Sequence, residues 1–270
     1  RCHPAPSGRV RRTAALAGRI VSSGGTLVLI RHGQSAGNAD GVFTGLLDVP
    51  LTRRGRDEAI AAAAQLNDAA ITLGTLICSP LLRAQQTAEL LEGQLDPHPG
   101  NRITDWQLAE RNYGRLTGHR KDEIAQRYGQ AQFQSWRRSM DDAPPPMSRA
   151  TASRLFRGRG DGITEAHLGR TEALRDAVAR VSECLRELIT PRLELGQVVA
   201  VVAHGNSLRA LCAILDHLSD DEVMALNLPT GQPLIYQLDS EGHPLQRGGE
   251  YLDPAVATAA AALIASEGGT

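Results

Sequence analysis

Two histidines stand directly after apolar, β-prone runs and directly before a glycine: Ile30-Arg31-His32-Gly33 and Ala203-His204-Gly205-Asn206. Neutral imidazole can attack phosphorus, and the phosphoramidate that results carries negative charge that cations must balance. Arg31 beside His32, and Arg83 shortly after Ser79-Pro80, carry guanidinium groups suited to holding phosphoryl oxygens in a bidentate fashion. His204 reads as a second donor to a transferring group, because positioned charge is the main resource of phosphoryl transfer. Either histidine alone would read as a satisfied structural side chain; two in matching positions, one with an arginine beside it, favour catalysis. A glycine after each removes the Cβ that would keep the backbone away from an anion. The chemistry also needs a proton carrier, worth roughly 10²–10⁴ in rate. Glu110, within Leu108-Ala109-Glu110-Arg111-Asn112-Tyr113-Gly114, is the candidate, and an exposed Glu110/Arg111 charge pair is the plainer alternative.

These residues need a scaffold that brings them together. Residues 26–30 (TLVLI), 75–78 (TLIC) and 198–203 (VVAVVA) are continuous apolar runs, the pattern of strands buried on both faces of a parallel sheet. Helices are predicted between them: 54–67 behind an N-cap at Thr52, 81–91 behind Ser79-Pro80, 171–189, and 207–218. A further helix opens on the Ser219-Asp220-Asp221-Glu222 capping box, a last strand is predicted at 233–238, and the alanine-rich stretch 254–266 is weakly helical. The centre, 108–166, shows little regular pattern beyond a short helix at 122–128; such long segments are usually functional or mobile. Alternating strands and helices predict an α/β fold, a three-layer αβα sandwich with a mostly parallel central sheet and right-handed crossovers. In such sheets ligands gather at the carboxyl ends of the strands, so the two histidines can face one crevice although far apart in the chain.

With 270 residues the chain can bury a full core as one domain. Apolar residues are 41% and charged residues 22%, as in ordinary soluble proteins, and the net charge of −1 gives no overall field for nucleic acid or an anionic membrane. Any basic site must be local. No apolar run approaches the ~18 residues of a membrane span. Cys2, Cys78, Cys184 and Cys212 lack CxxC spacing and read as structural thiols in a reducing compartment, and the histidines lack zinc spacing, so no metal is expected. Residues 1–25, rich in arginine and without an acid, read as a flexible N-terminal extension, 26–250 as the catalytic domain and 251–270 as a C-terminal tail. Lys121 is the only lysine, against 28 arginines, which suggests a position that needs an ammonium group.

Taken in order, Arg31-His32-Gly33-Gln34-Ser35 with Asn38, Phe43-Thr44-Gly45, Ser79-Pro80-Leu81-Leu82-Arg83-Ala84, Glu110-Arg111-Asn112-Tyr113-Gly114, Lys121, Trp136-Arg137-Arg138, His204-Gly205-Asn206 and Asn227-Leu228-Pro229-Thr230-Gly231 resemble the signature of cofactor-dependent phosphoglycerate mutases, within the histidine phosphatase superfamily. The resemblance runs from Thr26 to the C-terminal tail. It implies the histidine phosphatase fold and a glycolytic and gluconeogenic isomerase that interconverts 3- and 2-phosphoglycerate. It also implies phosphorylation of His32, acid–base work by Glu110, and Arg31, Arg83 and His204 around the transferring phosphoryl. Asn38, Thr44, Gly45 and Asn206 would bond phosphate or carboxylate oxygens, Ser35 would mark the mutase branch, and Tyr113, Lys121, Arg137 and Arg138 would bind the rest of the substrate. The family is primed by 2,3-bisphosphoglycerate without a metal. The implied partner is a small phosphorylated sugar acid, the implied place is the cytoplasm, and a homodimer or homotetramer is compatible with the family.

Three departures stand out: Ala36-Gly37 where the family has a larger residue followed by tryptophan, Ala173 in place of a serine, and a poor match over 147–167. The first two bear on substrate selection, the third on subunit contacts and loop closure. A broad phosphomonoester phosphatase of the same superfamily would share His32, Arg31, Arg83 and His204, and a catalytically silent phospho-ligand-binding module is the alternative from another class.

Overall fold

The computed structural model describes residues 24–266; the predicted N-terminal extension lies almost wholly outside them, as do Cys2 and the last four residues of the tail. Six strands form one sheet: β1 (Thr26–Arg31), β2 (Thr75–Cys78), β3 (Asn101–Thr104), β4 (Val198–Ala203), β5 (Leu234–Gln237) and β6 (Glu250–Tyr251), in the order β3-β2-β4-β1-β5-β6. The pairs β1/β4, β2/β4 and β2/β3 are parallel, and β5 and β6 close one edge antiparallel. Side chains alternate across a strand, so the apolar runs feed two cores. Leu27, Leu29, Ile77, Val199, Val201 and Ala203 face one, while Val28, Ile30, Leu76, Cys78, Ala200 and Val202 face the other. That is the predicted three-layer sandwich.

Helices of eight or more residues are α1 (Arg53–Asp68), α2 (Leu82–Glu92), α3 (Lys121–Tyr128), α4 (Gln130–Arg138), α5 (Arg149–Phe156), α6 (Leu174–Cys184), α7 (Gly205–Asp216) and α8 (Pro254–Ser266). On α1, Ala62, Ala63 and Leu66 recur at helical spacing and pack with Ala84, Ala88 and Leu91 of α2 against one face of the sheet. Val181 and Cys184 of α6, with Leu208, Leu211, Cys212 and Leu215 of α7, cover the other. Thr52 caps α1 by accepting from Gly55 N, as expected, and Ser219 and Glu222 form the predicted capping box. Cys78, Cys184 and Cys212 are buried free thiols. Among the described residues no helix is long and apolar enough to cross a membrane.

Several elements differ from expectation. Ser79 does not cap the helix after it; α2 begins at Leu82 behind Leu81, which makes no side-chain cap. The helix predicted over 171–189 is regular α only from Leu174, and continues as a π turn over Leu185–Ile189. The centre is more ordered than its pattern suggests, because Phe133 and Trp136 on the polar helix α4 join Phe43, Tyr113, Leu116 and Ile124 in a small aromatic core. Strands β3 and β6 were not foreseen, and β6 draws the start of the tail into the sheet.

Candidate active site

The strands β1, β2 and β4 run in parallel and end at one edge of the sheet, followed by His32, Ser79 and His204. The register pairs Arg31 with Ala203, which sets the two histidines side by side, with ring centroids 4.9 Å apart and planes inclined by 61°. Both rings are buried, at 2% and 0% exposure.

The tautomer of His32 follows from its partners. Nδ1 lies 2.7 Å from Gly33 O, a carbonyl that can only accept, so Nδ1 carries the hydrogen and Nε2 the lone pair. Nε2 in turn accepts from Arg83 Nε at 3.2 Å. Burial first, then the cations Arg83 and Arg31, push the imidazole well below its usual 6.5, while the Gly33 carbonyl pulls weakly the other way. His32 is therefore a neutral imidazole with its lone-pair nitrogen turned toward a guanidinium. His204 is held down by burial and by Arg83, His32 and Arg31; its Nε2 pairs with Ser79 Oγ at 2.7 Å, and its buried Nδ1 meets no partner.

Arg83, on the first turn of α2, is anchored by Nη1 to Leu47 O (3.0 Å) and Nη2 to Gly45 O (2.9 Å). Arg31 donates Nη1 to Leu228 O at 2.9 Å, and burial lowers its pKa against the pull of Glu110 and Tyr113. Gly33 serves a purpose other than the one its position suggested. A Cβ there would lie 2.0 Å from Gly55 O, so the missing side chain lets the start of α1 approach the loop, rather than clearing space for an anion.

Glu110 is 7% exposed; its Oε1 accepts from Arg111 N (2.7 Å) and Asn206 Nδ2 (2.9 Å). Asn206 Nδ2 also donates to Tyr113 Oη at 2.9 Å, and Asn206 Oδ1 accepts from Arg209 Nη1 at 3.1 Å, which fixes the orientation of the amide. Arg83 with His32, and Glu110 with Asn206 and Tyr113, are thus two hydrogen-bonded groups, and the charges of Arg31 and Arg83 act on Glu110, Tyr113, His32 and His204, which places all of them close together. Arg137 is fully buried with its guanidinium over the Phe133 ring, and burial pushes it down to about 10.

Other expected residues make different contacts. Arg138 donates to Met224 O, Leu226 O and Asn227 Oδ1, so it secures the segment before Leu228. Ser35 and Asn38 cap each other across a short helical turn. Thr44 Oγ1 makes a long 3.4 Å bond to Val42 O and sits against Gly37. Gly45 contributes its carbonyl to Arg83 at a positive φ, and Lys121 opens α3 with its backbone N bonded to Gly41 O at 2.8 Å.

Sequence reasoning missed Ser79, Arg111 and Arg209 as members of the site. Ser79 ends a strand just as the two histidines do, and Arg209 lies one helical turn after Asn206, so both signals were present. Arg31 Nε, Arg111 Nε and Nη1, Arg209 Nη2 and His204 Nδ1 are buried without a hydrogen-bond partner. Unmet buried donors are costly, and oxygens of a multiply charged anion are the acceptors that match them. These residues therefore suit an oxygen-rich anion. Among the described residues no group of three or more His, Cys, Asp or Glu side chains is placed to hold a metal.

Known proteins of similar sequence and shape can be set beside this geometry. The histidine phosphatase superfamily (branch 1) matches residues 27–249. A 2,3-bisphosphoglycerate-dependent phosphoglycerate mutase from Corynebacterium jeikeium is 42% identical over 249 residues, covering 92% of this chain and 97% of that protein. One from Mycobacterium tuberculosis is 44% identical over 249 residues, covering 90% and 98%. Among solved structures, a mycobacterial glucosyl-3-phosphoglycerate phosphatase complexed with VO3 matches with a TM-score of 0.59 at 26% identity, over 78% of this chain and 92% of that one. The α-ribazole phosphatase from Shigella flexneri, with a TM-score of 0.62 at 22% identity over 83% and 96%, shares the fold.

Proposed function

This chain belongs to the histidine phosphatase superfamily, branch 1, and from that premise we propose that it interconverts 3-phosphoglycerate and 2-phosphoglycerate by way of a phosphoryl group carried on His32 Nε2. The observation that carries this reading is the number of buried guanidiniums. A phosphate monoester in transfer can engage Arg31, Arg83 and His204 Nδ1, whereas Arg111, Arg137 and Arg209 lie beyond that need and suit a second anionic group on the same small molecule. The relatives named as mutases, at 42% and 44% identity, support the same substrate.

The residues divide the work as follows. Gly33 O holds the hydrogen on Nδ1 of His32, so that Nε2 keeps its lone pair. Arg83 Nε, which bonds Nε2 at 3.2 Å, turns to a phosphoryl oxygen when phosphorus approaches. In one half-reaction the N–P bond breaks, a substrate hydroxyl takes the phosphoryl, and Glu110 accepts the hydroxyl proton. In the other, Nε2 attacks the neighbouring phosphoryl, the P–O bond breaks, and Glu110 returns the proton to the leaving oxygen. Arg111 N and Asn206 Nδ2 orient Glu110 through Oε1. 2,3-Bisphosphoglycerate would supply the first phosphoryl group, held by the buried donors named above.

Transfer to water instead of a hydroxyl is the second reading, favoured by the phosphatase matched at 26% identity. A coupled assay of 3- to 2-phosphoglycerate conversion, run with and without 2,3-bisphosphoglycerate alongside phosphate release, separates the two. Isomerisation dependent on the bisphosphate, with slow phosphate release, is the expected result. Rapid phosphate release without isomerisation would move the assignment to the phosphatase.

A further inference from the structure

We infer that the buried ion pair between Arg180 and Glu172 is a positioning device for Glu110, and that Arg180 is a further residue on which the acid–base step depends. This rests on the reading above that Glu110 moves the proton. Glu110 lies in a loop, between a single 3₁₀ turn (Trp106–Leu108) and a second one (Gly114–Leu116). A loop has no ladder of its own, so its rigidity must come from outside it. Yet a proton carrier must be held within a fraction of an ångström of its productive place.

The ion pair supplies that hold. Arg180 is on α6 and Glu172 lies just before it, with side chains 5% and 4% exposed. Arg180 Nε and Nη2 donate to Glu172 Oε1 and Oε2 at 2.9 and 3.3 Å. The remaining arm, Nη1, donates to Gln107 O at 2.5 Å and Ala109 O at 2.9 Å, on the N-terminal side of Glu110. Glu172 grips the other side: its Oε2 accepts from Asn112 N at 2.7 Å, and its backbone N donates to Asn112 O at 2.9 Å. The main chain is therefore fixed at the residue before Glu110 and at the second residue after it, by two side chains fixed to each other. Asn112 adds a local brace, with Oδ1 accepting from Gly114 N at 3.0 Å and Nδ2 donating to Gly169 O at 3.1 Å.

Stability alone does not account for this arrangement. A buried ion pair is commonly no more stabilising than well-packed apolar side chains of the same size. What the pair provides, and an apolar contact cannot, is directional bonding to carbonyl and amide groups on both flanks of one carboxylate. Arg180 touches neither the phosphoryl-binding groups nor the Glu110 carboxylate in any of these bonds; its charge also helps to hold the His204 pKa down, but a lysine in its place keeps that charge, so what such a variant loses is the position of the loop.

The test exploits leaving groups. Phosphoryl transfer from the bisphosphorylated acid back to His32 expels an alkoxide that needs the Glu110 proton, whereas 2,4-dinitrophenyl phosphate expels a phenolate that needs none. Arg180→Lys keeps a cation opposite Glu172 but cannot reach Glu172, Gln107 O and Ala109 O together. It should slow phosphoglycerate turnover about 10- to 100-fold and the burst of dinitrophenolate release by less than about threefold, a split that a merely less stable protein would not show. Glu110→Gln serves as the control and should show the same asymmetry, more strongly. If Glu110→Gln slows both reactions alike, the acid–base reading of Glu110 falls. If Glu110→Gln is asymmetric while Arg180→Lys slows both alike, or neither, the positioning role is overturned. Where the wild-type enzyme shows no burst, phosphorylation is itself the slow step, and the steady rate of dinitrophenolate release is compared in its place. Should Arg180→Lys not fold, the pair Arg180→Met/Glu172→Gln leaves no lone buried charge and is read by the same two rates.

Discussion

Replacing Arg83 with methionine should separate activity from stability. Burial pushes its guanidinium down from the usual arginine range to about 10, against the pull of Glu110 and Asp48, which at about 1.4 kcal/mol per pH unit is a penalty of roughly 3 kcal/mol for holding the cation there. Two bonds offset it, from Nη1 to Leu47 O and Nη2 to Gly45 O, each worth about 1.5–3 kcal/mol for a charged donor. Methionine removes both, and it fills much of the space with an apolar chain. The net loss of stability should be at most about 3 kcal/mol, and for a domain of this size each kcal/mol lowers Tm by about 2–4 °C. The same change removes the donor that bonds His32 Nε2 and that would meet the phosphoryl oxygens in the transition state, a loss of about 10²–10³ in rate. Differential scanning calorimetry and the coupled mutase assay on one preparation measure both. Stabilisation by added inorganic phosphate or vanadate should also shrink in the variant, since ligand binding to the folded state raises Tm by mass action. A variant within tenfold of wild-type turnover, or one whose Tm falls by well over 10 °C, would refute the view that Arg83 is held at a cost to stability for the sake of an anion.

Three further outcomes can be checked. Arg137→Ala should lower phosphoglycerate turnover at least about 100-fold and hydrolysis of an aryl phosphate by less than tenfold; equal losses would mean that its buried guanidinium over Phe133 holds the fold or the transferring phosphoryl. His32 and His204 are kept well below 6.5 by burial and neighbouring cations, so below that value the unfolded chain binds more protons, and stability, complete above about 6.5, declines as pH falls through it. Urea midpoints between pH 7 and 5 should show a slope that His32→Asn reduces by up to about 1.4 kcal/mol per pH unit, and an unchanged slope would contradict the neutral state. Gly37→Ala places a Cβ 2.2 Å from Thr44 Oγ1 and should cost about 1–3 kcal/mol by overpacking, with recovery in Gly37→Ala/Thr44→Ala; loss without recovery would point to another cause.

Much of the frame was legible from local signals. The runs TLVLI, TLIC and VVAVVA announced strands buried on both faces because an uninterrupted apolar stretch leaves no side to give to water. Thr52 and the box from Ser219 to Glu222 marked helix starts, since those side chains meet amides only a few residues ahead. His32, His204 and Glu110 could be singled out as well, by residue type and by the elements they adjoin. Helix α4 was not legible: its run QAQFQSWRR holds only Phe133 and Trp136 as apolar anchors, and the aromatic core they join comes from Phe43, Tyr113, Leu116 and Ile124 elsewhere in the chain. Strands β3 and β6 were hidden for the same reason, being short edge elements whose backbone partners lie outside their own sequence.

What only the tertiary structure decided is which polar atom meets which. The sequence presents Ser79 as a helix cap; in the fold its hydroxyl accepts from Leu81 N just ahead of α2 and also meets His204 Nε2, since β2 and β4 end side by side. Gly33 could have cleared room for an anion, yet the packing of α1 needs that room for Gly55 O. Arg180 and Glu172 carry no local mark of function, and their importance arises from carbonyls and an amide of the Glu110 loop brought to them by the packing of α6. Strand and helix propensity are properties of neighbours in the chain and can be read there. Hydrogen bonds between distant side chains depend on geometry within a few tenths of an ångström, which exists only once the layers have packed.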